Sequence, residues 1–112
     1  MSVQRGEIVR INLNPTSGRE PQEKARPFLV ISNSKFNNRR KMVVVLPITN
    51  TIKPKIKTLV PLPENLAITG SVDTEQVRNL DLSDRALETT GVILDQDLTD
   101  YMVGMLTTLL SS

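Results

Sequence analysis

The chain has 112 residues, 38% of them hydrophobic and 23% charged, which suits one domain with a buried core and no covalent staple. It contains no cysteine and no histidine; this excludes a disulfide framework, a thiolate nucleophile and a zinc knuckle, and removes the one side chain that ordinarily titrates near neutrality. The formal net charge is only +2, but from Arg19 to Lys57 ten lysines or arginines stand against Glu20 and Glu23 alone, whereas from Thr58 onward nine acids face two basic residues.

Such a division suggests a polyanion-binding face beside an acidic remainder. It is equally compatible with two sets of charges that pair across the folded surface. Acid–base chemistry has to come from carboxylates, Arg, Lys, the single Tyr101 or hydroxyls. The first residues, Met1-Ser2-Val3-Gln4-Arg5-Gly6-Glu7, lack the apolar run of a signal peptide, and no later stretch is long and apolar enough to span a bilayer. A cytoplasmic location without membrane contact is therefore expected, with residues 1–112 as a single domain.

Taken in order, Glu7 to Leu13 alternates partly between polar and apolar residues and reads as a strand, ending in the turn formers Asn14-Pro15-Thr16-Ser17-Gly18. A polar loop runs to Arg26-Pro27, and Phe28-Leu29-Val30-Ile31 has the look of a buried strand. Ser34 is placed to cap a short helical turn over residues 35–38. Met42-Val43-Val44-Val45-Leu46, bounded by Pro47, is the strongest strand signal. Lys53, Lys55 and Lys57 recur with a period of two, so an extended chain projects all three from one face, and Pro54 marks an edge. Leu59 to Leu62 continues this stretch, a further strand runs from Gly70 toward Arg78, and Asp81 to Arg85 resembles a helical turn. From Gln96 to Leu110, Leu98, Met102, Met105, Leu106 and Leu109 line one side of an amphipathic helix capped by Asp95. The fold expected is mainly β: a half-open barrel of short strands closed by a C-terminal α-helix.

Three positions carry candidate chemistry. Arg26 lies where a polar loop enters an apolar strand, a firm base from which a guanidinium can hold a phosphate bidentately; taken by itself, the position reads more readily as a surface ion pair with Glu20 or Glu23, of little energetic weight. Thr49 follows the strongest strand and either donates its hydroxyl to a phosphate oxygen or simply fills a strand position. Glu75 is a possible proton acceptor if burial raises its pKa, or a structural partner if it is ion-paired. Arg78, Asp81 and Arg85 read more readily as a solvated network.

Five segments in order and spacing resemble the MazF/PemK toxin family, over nearly the whole chain. Arg5-Gly6-Glu7-Ile8-Val9 is similar to its R-G-[DE]-I-[VW] opening, and Asn14-Pro15 with Gly18 and Glu20 resembles the loop that follows. Arg26-Pro27-Phe28-Leu29-Val30-Ile31-Ser32, with Phe36-Asn37 after it, resembles R-P-x-L-V-[IV]-S. Val44-Val45-Leu46-Pro47-Ile48-Thr49 resembles V-V-x-P-[IV]-T, and Glu75 to Asp81 resembles D-Q-[VP]-[RK]-x-[IL]-D.

The resemblance implies an SH3-like half-open barrel, a homodimer, and a type II toxin that cleaves single-stranded RNA without a metal or other cofactor. The 2′-OH would attack the adjacent phosphate, leaving 2′,3′-cyclic phosphate and 5′-OH ends. It also implies an antitoxin of the MazE kind whose acidic segment occupies the RNA groove. By motif, Arg26 would stabilise the phosphorane, Thr49 would hydrogen-bond its oxygens, and Glu75 is the candidate base. Arg19, Lys24, Lys53, Lys55, Lys57 and Arg78 would contact RNA. The chain departs from the pattern in that some members place a histidine where Arg19 stands, an arginine at Asp73 and an aspartate at Glu75; the loop from Pro21 to Ala25 is also slightly longer.

Two other readings compete: a non-enzymatic toxin similar to the CcdB group that poisons DNA gyrase, and an RNA-binding barrel without chemistry. The last usually stacks bases on aromatics, of which this chain has only Phe28, Phe36 and Tyr101, two of them expected in the core. A dimer interface is expected to include Met42, Met102 and Met105.

Overall fold

A computed structural model describes residues 3–13, 25–83 and 86–111. Its elements are β1 (Glu7–Ile11), β2 (Arg26–Val30), α1 (Ser34–Arg40), β3 (Met42–Thr49), β4 (Leu59–Pro61), β5 (Ser71–Asp73), β6 (Arg78–Asp81), β7 (Leu87–Ile93) and α2 (Gln96–Leu110). The strands form an antiparallel sheet in the order β4-β5-β3-β2-β1-β7, with β6 also paired to β3. Among the described residues the end strands β4 and β7 do not pair, so the sheet stays open. The mainly β fold with a C-terminal helix is the one expected.

The apolar runs that mark β2 and β3 have a direct structural cause. Successive side chains of a strand point to opposite faces, and here both faces are covered. Leu29, Leu46 and Ile48 enter one cluster with Ile8, Val72 and Met102; Phe28, Val30, Val43 and Val45 enter another with Val9, Ile11 and Leu80. A strand buried on both sides reads as a continuous apolar run, not as an alternation. Each fully buried Val, Leu, Ile or Phe adds on the order of 1.5–3 kcal/mol. Helix α2 contributes Met102 to the first cluster, and Asp95 caps it by accepting from the Asp97 amide at 3.0 Å.

The opening motif is structural. Gly6 has φ +94°, its amide donates to Val30 O at 2.7 Å and its carbonyl accepts from the Leu94 amide at 2.8 Å. It thereby ties the ends of β2 and β7 together at a position where an L side chain would be strained. The Ser32 and Asn37 of the third segment form a partly buried clasp. Ser32 Oγ accepts from the Val44 amide at 2.9 Å and donates to Asn37 Oδ1 at 2.5 Å, while Asn37 Nδ2 donates to Val3 O at 2.8 Å and Ser32 O at 3.2 Å.

Several local expectations are corrected. The cap of α1 is Asn33, whose Oδ1 accepts from the Phe36 amide at 2.8 Å, and the helix extends to Arg40. Residues 50–58 do not form a strand: the Ile56 amide donates to Lys53 O at 2.9 Å across a turn with Pro54 at its second position, where its fixed φ favours turning over extension. Lys53, Lys55 and Lys57 therefore do not share a strand face. The run from Gly70 to Arg78 is two strands, β5 and β6, separated by a turn in which Asp73 Oδ1 accepts from the Glu75 amide at 3.1 Å. Asp81 ends β6, and its carboxylate accepts from the Ser83 amide at 2.9 Å, an Asx-type turn in place of the helical one; Asp84 and Arg85 lie outside the described residues. Strand β7 was not anticipated, because it is largely exposed, polar and interrupted by Gly91. Met102 is fully buried within the chain's own core, which removes it from any surface shared with a second copy, whereas Met42 and Met105 remain partly exposed.

Candidate nucleic-acid interface

The same alternation that builds the core builds the cleft. Arg26, Phe28 and Val30 share one face of β2; Val43, Val45, Pro47 and Thr49 share one face of β3. The strands pair Val30 with Val45 and Phe28 with Pro47, and continuing that register sets Arg26 level with Thr49. Arg78 pairs with Val45 from β6 and so lies on the same side. Toward the middle of β2 and β3 this face is apolar; toward the strand ends that carry Arg26 and Thr49 it turns polar. There, Arg26, Phe28, Pro47, Thr49, Asn50 and Arg78 line an open cleft of about 370 Å³.

The cleft is cationic, and among the described residues no carboxylate lines it. Arg26 and Arg78 are exposed, and among the described residues neither guanidinium has a hydrogen-bond or ion-pair partner. Thr49 Oγ1 accepts from the Thr51 amide at 3.3 Å and lies 3.4 Å from Thr51 Oγ1. The backbone contact orients the hydroxyl, while its proton has only a long contact and is available to a better acceptor. Two planar cations and an oriented hydroxyl converging on an apolar floor suit a phosphodiester.

Other expected site residues lie elsewhere. Glu75 does not line this cleft; its Oε2 accepts from Thr58 Oγ1 at 2.6 Å. The neighbouring Thr74, fully buried, donates to Thr58 O from both its amide, at 3.0 Å, and its hydroxyl, at 2.7 Å. Together they clamp the end of the segment that carries Lys53, Lys55 and Lys57, all exposed. Arg19 and Lys24 fall outside the described residues. No three or more His, Cys, Asp or Glu residues gather among the described residues in a set able to hold a metal.

Two contributors escaped the sequence reading. Asn50 lines the cleft simply by following Thr49. Gly70 supports Thr49 from behind: with φ +126°, a Cβ built on it would lie 2.2 Å from Thr49 O. A glycine just before a short strand was the available signal, but its partner across the sheet was not visible.

The described residues define a mainly β protein: an open antiparallel sheet with a terminal helix and a cationic, hydroxyl-bearing cleft. Residues 4–103 match the family described as PemK-like, MazF-like toxin of type II toxin-antitoxin system, and the chain belongs to that family. It is 36% identical over 96 residues to the endoribonuclease toxin ChpB of Escherichia coli, covering 83% of this chain and 82% of that protein. Its structure is similar to MazF from Deinococcus radiodurans, at 28% identity and TM-score 0.82 over 98% of this chain and 97% of that one. It is also similar to a chain of the MazE-MazF crystal structure from the same organism, at 25% identity and TM-score 0.84 over 99% and 97%. Among the described residues no helix is long and apolar enough to cross a membrane.

Proposed function

We propose that this one-domain chain is a cytoplasmic endoribonuclease toxin that cuts single-stranded RNA, acts as a homodimer and is neutralised by an antitoxin with an acidic segment. The observation that carries this reading is the meeting of Arg26, Thr49 and Arg78 in one cleft with no carboxylate among its described lining residues. The names of the relatives support the activity, and the MazE-MazF pairing of the neighbour supports the partner.

In this mechanism the ribose 2′-oxygen attacks the adjacent phosphorus and the bond from phosphorus to the 5′-oxygen breaks. The 2′-OH proton passes to water, and the departing 5′-oxygen takes one up, leaving 2′,3′-cyclic phosphate and 5′-OH ends. Negative charge grows on the phosphorane oxygens, where the Arg26 guanidinium holds it and Thr49 donates. Preorganised donors of this kind are usually the largest catalytic term. Arg78 and the lysines at 53, 55 and 57 hold flanking phosphates, with Arg19 and Lys24 in the same role. The chemistry is assigned to these side chains, with no metal and no cofactor. An acidic antitoxin segment fits the same unpaired cations and so blocks the cleft.

The test is to incubate purified protein with mixed-sequence RNA in EDTA and to map cut positions and end groups. Cuts at a short motif with cyclic-phosphate ends are expected; ends of another chemistry, or no cuts, would displace this reading in favour of a binding or gyrase-directed toxin.

A further inference from the structure

The α1 helix, Ser34-Lys35-Phe36-Asn37-Asn38-Arg39-Arg40, carries a second concentration of charge remote from the cleft. It contains no acid, and Lys41 follows it. Asn33, Lys35, Phe36, Arg39 and Arg40 line a depression of about 370 Å³. Lys35, Arg39 and Arg40 are exposed, and among the described residues none has an ion-pair partner.

Helix stability does not account for this arrangement. Arg39 and Arg40 in the last turn favour the helix dipole, but Lys35 in the first turn opposes it. Lys35 and Arg39 are also four apart, so two like charges sit side by side on one helix face, an arrangement that destabilises a helix. Lys41 adopts φ +52°, where glycine or asparagine is the easier choice. The sequence thus holds Lys35 beside Arg39, and Lys41 after them, where local physics disfavours them, which a bound polyanion would offset.

The depression also has one wall that a simple anion does not need. The ring of Phe36, half-buried, offers a surface for stacking, and among the described residues the Asn33 amide nitrogen has no partner while its oxygen caps the helix. Cations beside a half-buried ring and an amide suit a nucleotide better than an acidic peptide. Helix α1 leads into β3 at Met42, and the cleft lies at Thr49, about 23 Å further along an extended strand.

We propose that the α1 face is a second RNA-binding site, which holds a segment of single-stranded RNA away from the one being cut through Lys35, Arg39 and Arg40. It rests on the proposed function only in taking RNA as the substrate. The site makes affinity depend on RNA length: long RNA engages both regions, and a short oligonucleotide only the cleft.

The test uses the full chain carrying Lys35→Glu/Arg39→Gln/Arg40→Gln, and separately Lys35→Glu alone. The single variant places an acid in the first turn, where the dipole favours it, so it keeps the fold while reversing one contact. Binding is read by anisotropy in the Arg26→Ala background, which prevents cutting, and cleavage of a short oligonucleotide is read in the otherwise wild-type background. The triple variant is expected to bind long RNA roughly tenfold more weakly and to lower the slope of log affinity against log salt by about 2. Lys35→Glu is expected to weaken binding in the same direction, with short-oligonucleotide cleavage unchanged in both. Unchanged affinity and slope on long RNA would overturn the proposal, as would a loss confined to poly-glutamate binding, which would assign the face to an acidic protein. Absence of cleavage by the wild-type protein would strike the nuclease reading alone, because the binding slopes are measured without it.

Discussion

Gly70 and Thr49 meet so closely that a Cβ on the glycine would lie 2.2 Å from the threonine carbonyl oxygen and 3.1 Å from its carbonyl carbon. The contact is backbone to backbone, at the end of β3 where Thr49 pairs with Ser71, so no side chain can rotate away to relieve it. Gly70→Ala is expected to destabilise the chain by about 1–3 kcal/mol and to displace the Thr49 backbone. Activity per folded molecule, measured after correction for the denaturation midpoint, is expected to fall further than stability does. Full specific activity in the folded fraction would show that the position of Thr49 does not matter.

Glu75 offers a separable test of roles. Its carboxylate accepts the Thr58 hydroxyl proton at 2.6 Å, and a glutamine carbonyl accepts the same bond. If Glu75 holds the end of the lysine-bearing segment, Glu75→Gln retains near wild-type kcat, while Thr58→Val and Glu75→Ala cause similar, modest rises in KM. A general base would instead lose roughly 10²–10⁴ in kcat on the glutamine substitution. Steady-state kinetics on one RNA oligonucleotide distinguishes the two.

The Ser32–Asn37 clasp belongs to stability. Asn37 is buried, and its amide serves two carbonyls while its oxygen accepts from Ser32. Asn37→Ala leaves those groups unpaired and is expected to cost about 2–3 kcal/mol, read as a lower urea midpoint at unchanged slope. Since Ser32 also accepts from the Val44 amide, Ser32→Ala is expected to lose stability in a partly overlapping way, with the double variant less than additive.

Much of the cleft was written in the sequence as alternation. The pattern Arg26-x-Phe28-x-Val30 and the pattern Val45-x-Pro47-x-Thr49 each put a polar group two residues beyond buried ones, and pairing brings the two outer ends level. Helix α2 was legible to both its ends because its apolar spacing and its Asp95 cap agree. The lysine segment misled because a period of two implies a shared face only in an extended chain, and Pro54 turns this one. Glu75 was assigned chemistry by motif, yet its hydroxyl partner lies 17 positions away in sequence. Met102 looked like surplus surface because a helix pattern does not say which sheet face it meets. Strand β7 follows no hydrophobic period, so its pairing with β1 was a tertiary fact that local reading could not supply.

The most direct measurement compares wild-type, Arg26→Ala and Arg26→Lys protein for cleavage of single-stranded RNA at matched folded concentration. Arg26 is exposed and unpaired among the described residues, so removing it is expected to change stability by less than about 0.5 kcal/mol. Cleavage is expected to fall by roughly 10²–10³ in kcat for alanine, with lysine restoring only part because it lacks the bidentate fork. Cleavage by Arg26→Ala at the wild-type rate would contradict the assignment of the reaction to the cleft that Arg26 shares with Thr49.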